Sequence, residues 1–325
     1  MKILERPPKL NKLKLFIILI FLIFSGISIF LSLNYLKIND LIINYKEKKY
    51  LETKEFKIGL VTDLHVKRRS EKNNYELEPE MNDFIFKFTD KMNNHFVPDM
   101  VIENGDFIEG TRREGEKSEA DWLKLESEFS KLEMPFFHVI GNHEYRGLTK
   151  DQWKKLSNNK NTFYTFDVDR MRVIVLDGEE KAPEFEMKNK QLVWLEEILK
   201  NTKNYKIIIF IHFPLPDYVY SKNAKRFSPE QAQTLREMFS KYSVDAVFSG
   251  HVEKLYYENI GGVNYYVLPG FKKSENKDVP WLECYYEIVI KNDQVKTKMY
   301  YKKNENETEY KELFIPSEDY YNIEK

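Results

Sequence analysis

A chain of 325 residues is long enough for one large domain or two small ones with a full hydrophobic core. Its balance of charged (32%) and hydrophobic (42%) residues excludes a disordered chain, and a net charge of −1 leaves no basic excess to neutralise a nucleic-acid backbone. Cys284 is the single cysteine, which excludes an intrachain disulfide and a thiolate zinc site.

Residues 1–14 carry Lys2, Arg6, Lys9, Lys12 and Lys14 and are expected to form a cytoplasmic tail. From Leu15 to Leu36 there is no charge, and Leu, Ile and Phe dominate. As a helix this run would extend about 33 Å, enough for a hydrocarbon core of roughly 30 Å. It is longer than a signal-peptide core and no small-x-small cleavage site follows, so a transmembrane anchor is expected over 15–36 rather than a cleaved signal. The basic residues before the span outweigh the mostly more distant Lys37, Lys46, Lys48 and Lys49. A single-pass protein of the cell membrane follows, N-terminus cytoplasmic and remainder extracytoplasmic.

Residues 37–54 are polar and Lys-rich and read as a linker, either a stalk or a strand leading into the domain. A domain is expected over 55–302, and a C-terminal tail over 303–325. Within the domain, Phe56 to Thr62 is a short apolar strand that stops at Asp63. Leu77, Met81, Phe84, Ile85, Phe88 and Met92 recur at helical spacing. Further strands are expected at 99–104, 135–140, 163–167 and 171–176, the last two paired across Val168-Asp169-Arg170. Helices are expected at 122–132, around Leu192, Leu195 and Leu199, and from Ser228-Pro229-Glu230-Gln231, a capping-box start, to about Tyr242. Residues 206–211 form the most apolar strand. Strands at 245–248, 263–268, 284–290 and 295–301 complete the pattern, the last two as a hairpin around Asn292-Asp293.

Five short motifs fall at or just after the ends of these strands. They are Asp63-Leu64-His65, Gly105-Asp106-Phe107-Ile108-Glu109-Gly110, Gly141-Asn142-His143-Glu144, His212-Phe213-Pro214 and Gly250-His251-Val252-Glu253. Ligand sites of open α/β folds form beyond the carboxyl ends of strands, so loops far apart in sequence can converge there. A phosphate ester repels a nucleophile. Two cations about 3.5–4 Å apart can bind its oxygens, deprotonate a water and hold both in line. Such a site takes hard oxygen and imidazole ligands and a bridging carboxylate, which these motifs supply. A lone Asp-x-His or Gly-Asp is an ordinary turn. Four of the six histidines in ordered motifs, each after an apolar strand, is not chance.

Taken as a set, the motifs resemble the signature of the calcineurin-like metallophosphoesterases. The resemblance implies an α/β fold, a four-layer α/β/β/α sandwich of two mixed sheets preceded here by the transmembrane helix. It implies a metal-dependent phosphohydrolase working by a two-metal mechanism. By motif position Asp63 and His65 would bind the first metal, Asp106 would bridge, and Asn142, His212 and His251 would bind the second. His143 would contact the substrate phosphate and protonate the leaving oxygen. The glycines at 105, 141 and 250 fit tight loops around the cluster. Glu253 departs from the family pattern, which usually has histidine there as the last ligand of the first metal. Either its carboxylate still ligates, the favoured reading, or it turns away to Lys254 or Arg146. The cofactors would be two divalent or mixed-valence ions, Mn, Fe or Zn, with Mn favoured because a carboxylate suits a harder ion.

The substrate would be a phosphomonoester or phosphodiester, nucleotide, lipid-linked or of the cell envelope, chosen by loops around the metals. The loop candidates are Arg68, Arg69, residues 110–118, Arg146 and the Asp217 to Arg226 segment, where Tyr218 and Tyr220 could stack on a base. Segment 110–118 has some letters of a P-loop, but Glu116 separates Gly115 from Lys117, so it reads as a solvated flap. His138 is expected beside the core and His95 as a solvated helix cap. Asn306-Glu307-Thr308 matches a glycosylation triplet of low specificity. No nucleic-acid surface is expected, and no oligomeric state is specified. The rival reading is a catalytically degenerate, anchored metal-binding or scaffolding module, which the retained His143 opposes.

Overall fold

The computed structural model describes residues 54–66, 77–110, 115–178, 186–216, 227–271 and 282–316 apart from 293, the backbone of 180–181 and 184–185, and scattered residues between 25 and 49. Met1–Tyr50 and Leu51–Lys325 are two compact units. In the first, every described residue from Ser25 to Lys49 is helical, so the described residues of 37–49 are not an entry strand. Ile29, Phe30, Leu33 and Leu36 are exposed on it. The tail at 1–14 and most of the expected anchor at 15–36 lie outside the described residues. Among the described residues no helix is long and apolar enough to cross a membrane.

The second unit alternates strands and helices. It begins with β1 (Phe56–Val61), α1 (Pro79–Lys91), β2 (Met100–Glu103), α2 (Gly115–Phe129), β3 (Phe136–His138), α3 (Asn142–Gly147) and α4 (Lys150–Leu156). Next come β4 (Tyr164–Val168), β5 (Met171–Leu176), the short β6 (Glu180–Lys181) and β7 (Glu184–Phe185), α5 (Asn189–Lys200), β8 (Lys206–Ile211) and α6 (Pro229–Lys241). The last are β9 (Ala246–Ser249), β10 (Tyr256–Ile260), β11 (Val263–Val267), β12 (Glu283–Lys291), β13 (Gln294–Lys302) and β14 (Lys311–Ile315).

Two six-stranded mixed sheets result, ordered β14-β13-β12-β1-β2-β3 and β10-β11-β9-β8-β5-β4. β1, β2 and β3 run parallel, as do β5, β8, β9 and β11, and the remaining neighbours are antiparallel. Strand alternation makes the layers. Phe56, Ile58 and Leu60 of β1 point into one apolar cluster with Ile208 and Phe210 of β8 and Phe248 of β9, which glues sheet to sheet. The opposite face of the first sheet is covered by Phe84 and Phe88 of α1 and Trp122 and Leu125 of α2. Ile207, Ile209 and Ile211 of β8 meet Leu195 and Leu199 of α5 and Leu235 and Phe239 of α6. β8 is buried on both faces, which is why its sequence is apolar without alternation. The four layers are helix, sheet, sheet, helix, as the resemblance implied.

Differences from the sequence reading have local causes. α2 starts at Gly115, so residues 115–118 are its first turn rather than a flap. Ser118, its buried residue there, continues the face of Trp122, Leu125 and Phe129, and a serine hides that period among charges. Ser228 precedes α6 and Pro229 is its first residue, but the Ser228 hydroxyl makes no capping bond. The capping box lies instead at α4, where Gln152 N donates to Thr149 Oγ1 (3.2 Å) and Thr149 N to Gln152 Oε1 (2.9 Å). β14 falls in the expected tail and adds an edge strand beyond residue 302. Its Leu313 and Ile315 are buried while Lys311, Glu312 and Phe314 are exposed.

Candidate metal centre

The motifs converge because five strands end on the same side of the sandwich. β1 delivers Asp63 and His65, β2 Asp106, β3 Asn142 and His143, β8 His212 and β9 His251. Backbone bonds lace the first two loops: Asp63 N donates to Gly105 O, His65 N to Asp106 O and Glu109 N to Val66 O, each at 2.9 Å. His251 N, from the second sheet, donates to Asp63 Oδ1 of the first at 3.0 Å. Asp63, His65, Asp106, His251 and Glu253 all have left-handed backbone, φ 48° to 68°. Each such residue costs about 1–3 kcal/mol and persists because its surroundings dictate it. A Cβ at Gly141 would collide with Asp106 Oδ1 and one at Gly250 with Asp63 Oδ2, so close approach to the carboxylates demands glycine there.

The ligand-type atoms face one another. Asp106 Oδ2 is 3.1 Å from His212 Nε2, 3.8 Å from His143 Nε2 and 3.9 Å from His65 Nε2. Asp63 Oδ1 is 3.7 Å from His65 Nε2 and 4.0 Å from His212 Nε2. Three groups of mutually close donors emerge: Asp63–His65–Asp106 and Asp106–His212–His251, which share Asp106, and His65–Glu109–His143 at the rim. Glu253 Oε1 is 3.5 Å from His65 Nε2, so this carboxylate turns into the cluster; among the described residues it pairs with neither Lys254 nor Arg146. Asn142 Oδ1 and His212 Nε2 are buried without a hydrogen-bond partner among the described residues.

His212 and Asp106 share one cation position. His212 Nδ1 donates to Asn104 O at 2.8 Å, which leaves a lone pair on Nε2 facing a carboxylate oxygen. Two acceptors 3.1 Å apart need a cation shared between them. Burial disfavours charge on His212, but Asp106 and Asp63 outweigh it and push its pKa up to about 10, so a proton takes that place when no metal does. Asp106 is likewise opposed by burial, yet His212, His143 and His65 hold it well below the usual carboxylate range. Burial also opposes charge on His65, and Asp63, Glu253 and Asp106 overcome it to raise its pKa. The donor set, hard oxygens and imidazoles with orphaned buried lone pairs, fits divalent ions.

His143 lies at the rim, its side chain 13% exposed. Its Nδ1 donates to Glu109 O at 2.6 Å, and its ring meets that of His65 edge-on at 4.3 Å. Burial, then His65 and Arg146 against the opposing Asp106, hold its pKa below the ordinary value. Glu144 has a duty that sequence reasoning missed. Its buried carboxylate accepts from Gly141 N (2.8 Å), Asp106 N (2.9 Å) and Ile108 N (3.2 Å), pinning two loops together. The Glu three residues after Gly141 was the available signal, as the third residue of a helix start.

His138 is buried as expected, but between two carboxylates. Its Nδ1 is 3.2 Å from Glu103 Oε2 and its Nε2 3.1 Å from Glu126 Oε2, while Gly105 N donates to Glu103 Oε1 at 2.6 Å. Burial opposes charge on His138, and the two carboxylates overcome it, pushing the pKa up to about 9. His95 is exposed in the wide turn Met92–Phe96 that ends α1, 3.6 Å from Asp90. Arg68, Arg69 and Asp217 to Arg226 lie outside the described residues.

A buried carboxylate–imidazole cluster at the carboxyl ends of two facing sheets, poised to share cations, defines a metal-dependent phosphohydrolase. The chain belongs to the calcineurin-like phosphoesterases, whose family model matches residues 56–254. It is similar to the manganese-dependent ADP-ribose/CDP-alcohol diphosphatase of Arabidopsis thaliana, 26% identical over 211 residues, 50% of this chain and 67% of that protein. A dimetal phosphatase from Danio rerio shares the fold with a TM-score of 0.59 at 15% identity, over 80% of this chain and 98% of that one. A purple acid phosphatase of yellow lupin (Lupinus luteus) superposes with a TM-score of 0.54 at 14% identity, over 81% of this chain and 54% of that one.

Proposed function

We propose that the chain is a membrane-anchored phosphohydrolase with a dinuclear centre, acting on phosphomonoesters or phosphodiesters of nucleotide, lipid-linked or envelope substrates. Asp63, His65 and Glu253 hold the first ion, Asp106 bridges, and Asn142, His212 and His251 hold the second. The observation that carries this reading is the convergence of two donor groups, Asp63–His65–Asp106 and Asp106–His212–His251, on the shared Asp106 carboxylate. The inward turn of Glu253 supports a filled first position, and an oxygen ligand there suits manganese. Two bound cations supply charge neutralisation for the phosphate and a water of lowered pKa. His143 has the other task. Its Nδ1–H is committed to Glu109 O, so Nε2 is the atom that faces substrate, and it passes a proton to the leaving oxygen only after taking one up, which the negative charge of a bound phosphate favours.

Anchoring rests on the uncharged Leu15–Leu36 run and on the helical, exposed Ile29, Phe30, Leu33 and Leu36 within it. The flanking lysines support a catalytic unit outside the cell, which protease treatment of intact cells tests. The catalytic test uses bis-p-nitrophenyl phosphate and p-nitrophenyl phosphate, metal-free and with Mn²⁺, beside elemental analysis. Manganese-dependent turnover with two metals per chain is expected. Absence of turnover on both esters and on ADP-ribose in metal-loaded protein would defeat the reading and leave a degenerate binding module.

A further inference from the structure

Arg146 follows the third motif and is exposed at the rim of the cluster. Its Nη1 lies 2.7 Å from His143 Nε2 and 3.3 Å from His143 Nδ1. A guanidinium can only donate, and His143 Nδ1 already gives its hydrogen to Glu109 O. Close to both ring nitrogens at once, Nη1 stands over the face of the imidazole rather than on the Nε2 lone pair, beside the place where a leaving oxygen meets Nε2. Among the described residues Arg146 has no carboxylate partner, so its charge is held against the cluster by this contact alone.

What the guanidinium meets there depends on the leaving group. An alcohol or phenol offers it nothing. A leaving group that is itself a phosphate offers two non-bridging oxygens next to the leaving atom, the geometry a guanidinium grips in bidentate fashion. Resting on the metallohydrolase reading above, we infer that Arg146 selects substrates whose leaving group is a phosphate, so that the preferred bond is a phosphoanhydride between two esterified phosphates. Water adds its oxygen to one phosphorus. The bond from that phosphorus to the bridging oxygen breaks, with its electron pair going to the second phosphate. Two phosphomonoesters depart, and the two protons of water pass to them or to solvent.

The test compares kcat/KM for ADP-ribose with that for bis-p-nitrophenyl phosphate in the full-length, Mn²⁺-loaded protein and in Arg146→Ala and Arg146→Lys. A charge-assisted bidentate contact predicts that the ratio falls by about 30-fold in Arg146→Ala, with Arg146→Lys between the two because it keeps charge but loses the fork. Calorimetry gives a readout independent of turnover. The wild type should bind the α,β-methylene analogue of ADP more tightly than AMP, and Arg146→Ala should lose that preference. A ratio that moves less than about 3-fold, or an equal loss on both substrates, overturns the inference while leaving the hydrolase reading intact. A metal-loaded wild type inert toward the nitrophenyl diester and ADP-ribose alike overturns both.

Discussion

Replacing His138 by Phe should expose how a buried charge supports the metal loop. His138 is 3% exposed in its side chain, Glu103 is fully buried, and Gly105, the residue before Asp106, donates its N–H to Glu103. A rise of the His138 pKa from its ordinary 6.5 to about 9 corresponds to about 3 kcal/mol favouring the charged imidazole in the folded state. Phe fills the space among Phe107, Trp122 and Phe136 but leaves Glu103 without its cation. The expected cost at pH 7 is about 3 kcal/mol, or roughly 6–10 °C in Tm. Because the folded pKa is raised, the contribution is whole below pH 6.5 and is lost as pH rises through about 9. Wild type should therefore lose stability between pH 7 and 9.5 by more than His138→Phe does. Glu103→Gln combined with His138→Phe should recover most of the loss, since the amide removes the uncompensated charge and keeps an acceptor for Gly105 N–H. Urea unfolding followed by tryptophan fluorescence at both pH values reads all of this, with Trp122 centred 4.7 Å from His138. A single-variant cost below about 1 kcal/mol, or an unaltered pH dependence, would refute the reasoning.

Four further outcomes bear on the centre. His143→Ala should lower kcat by about 10²–10⁴-fold while elemental analysis still finds wild-type metal content; loss of metal with it would make His143 a ligand instead. Glu253→Ala should release the more weakly held ion, seen as a more than 10-fold rise in the Mn²⁺ concentration for half-maximal activity, roughly the scale of metal-site perturbations. Glu253→His should retain metal with a shift of preference toward Zn²⁺, measured by competition between the two ions. Glu144→Gln leaves one backbone N–H facing an amide nitrogen and should cost about 1–3 kcal/mol in chemical denaturation, with lower metal occupancy because Asp106 loses its brace.

The cluster was legible in the sequence because chemistry and strand ends coincide there. Apolar runs such as Lys206 to Ile211 stop abruptly, and the residues that follow are of types that an ordinary loop has no need to order so strictly. Glu253 was visible as an anomaly, but its direction was not, since a side chain at left-handed φ is aimed by the loop rather than by any periodicity. β14 escaped notice because an edge strand with one buried face carries two inward residues, Leu313 and Ile315, too few to stand out among charges. The Glu103–His138–Glu126 chain was hidden for a different reason. Its members come from two strands and a helix, and nothing local marks a carboxylate that will meet an imidazole 35 residues later.

The ligand-type residues hang from both sheets: Asp63, Asp106 and Asn142 from one, His212 and His251 from the other. Between the sheets, apolar side chains resist separation but have little directional preference, so they oppose sliding weakly. Metal–ligand bonds are directional and short. A loaded centre would therefore act as a rivet through the rim of a laminate, converting two plates that can shear into one stiff body. Rigidity would then be greatest where chemistry occurs and decline toward the far ends of the strands.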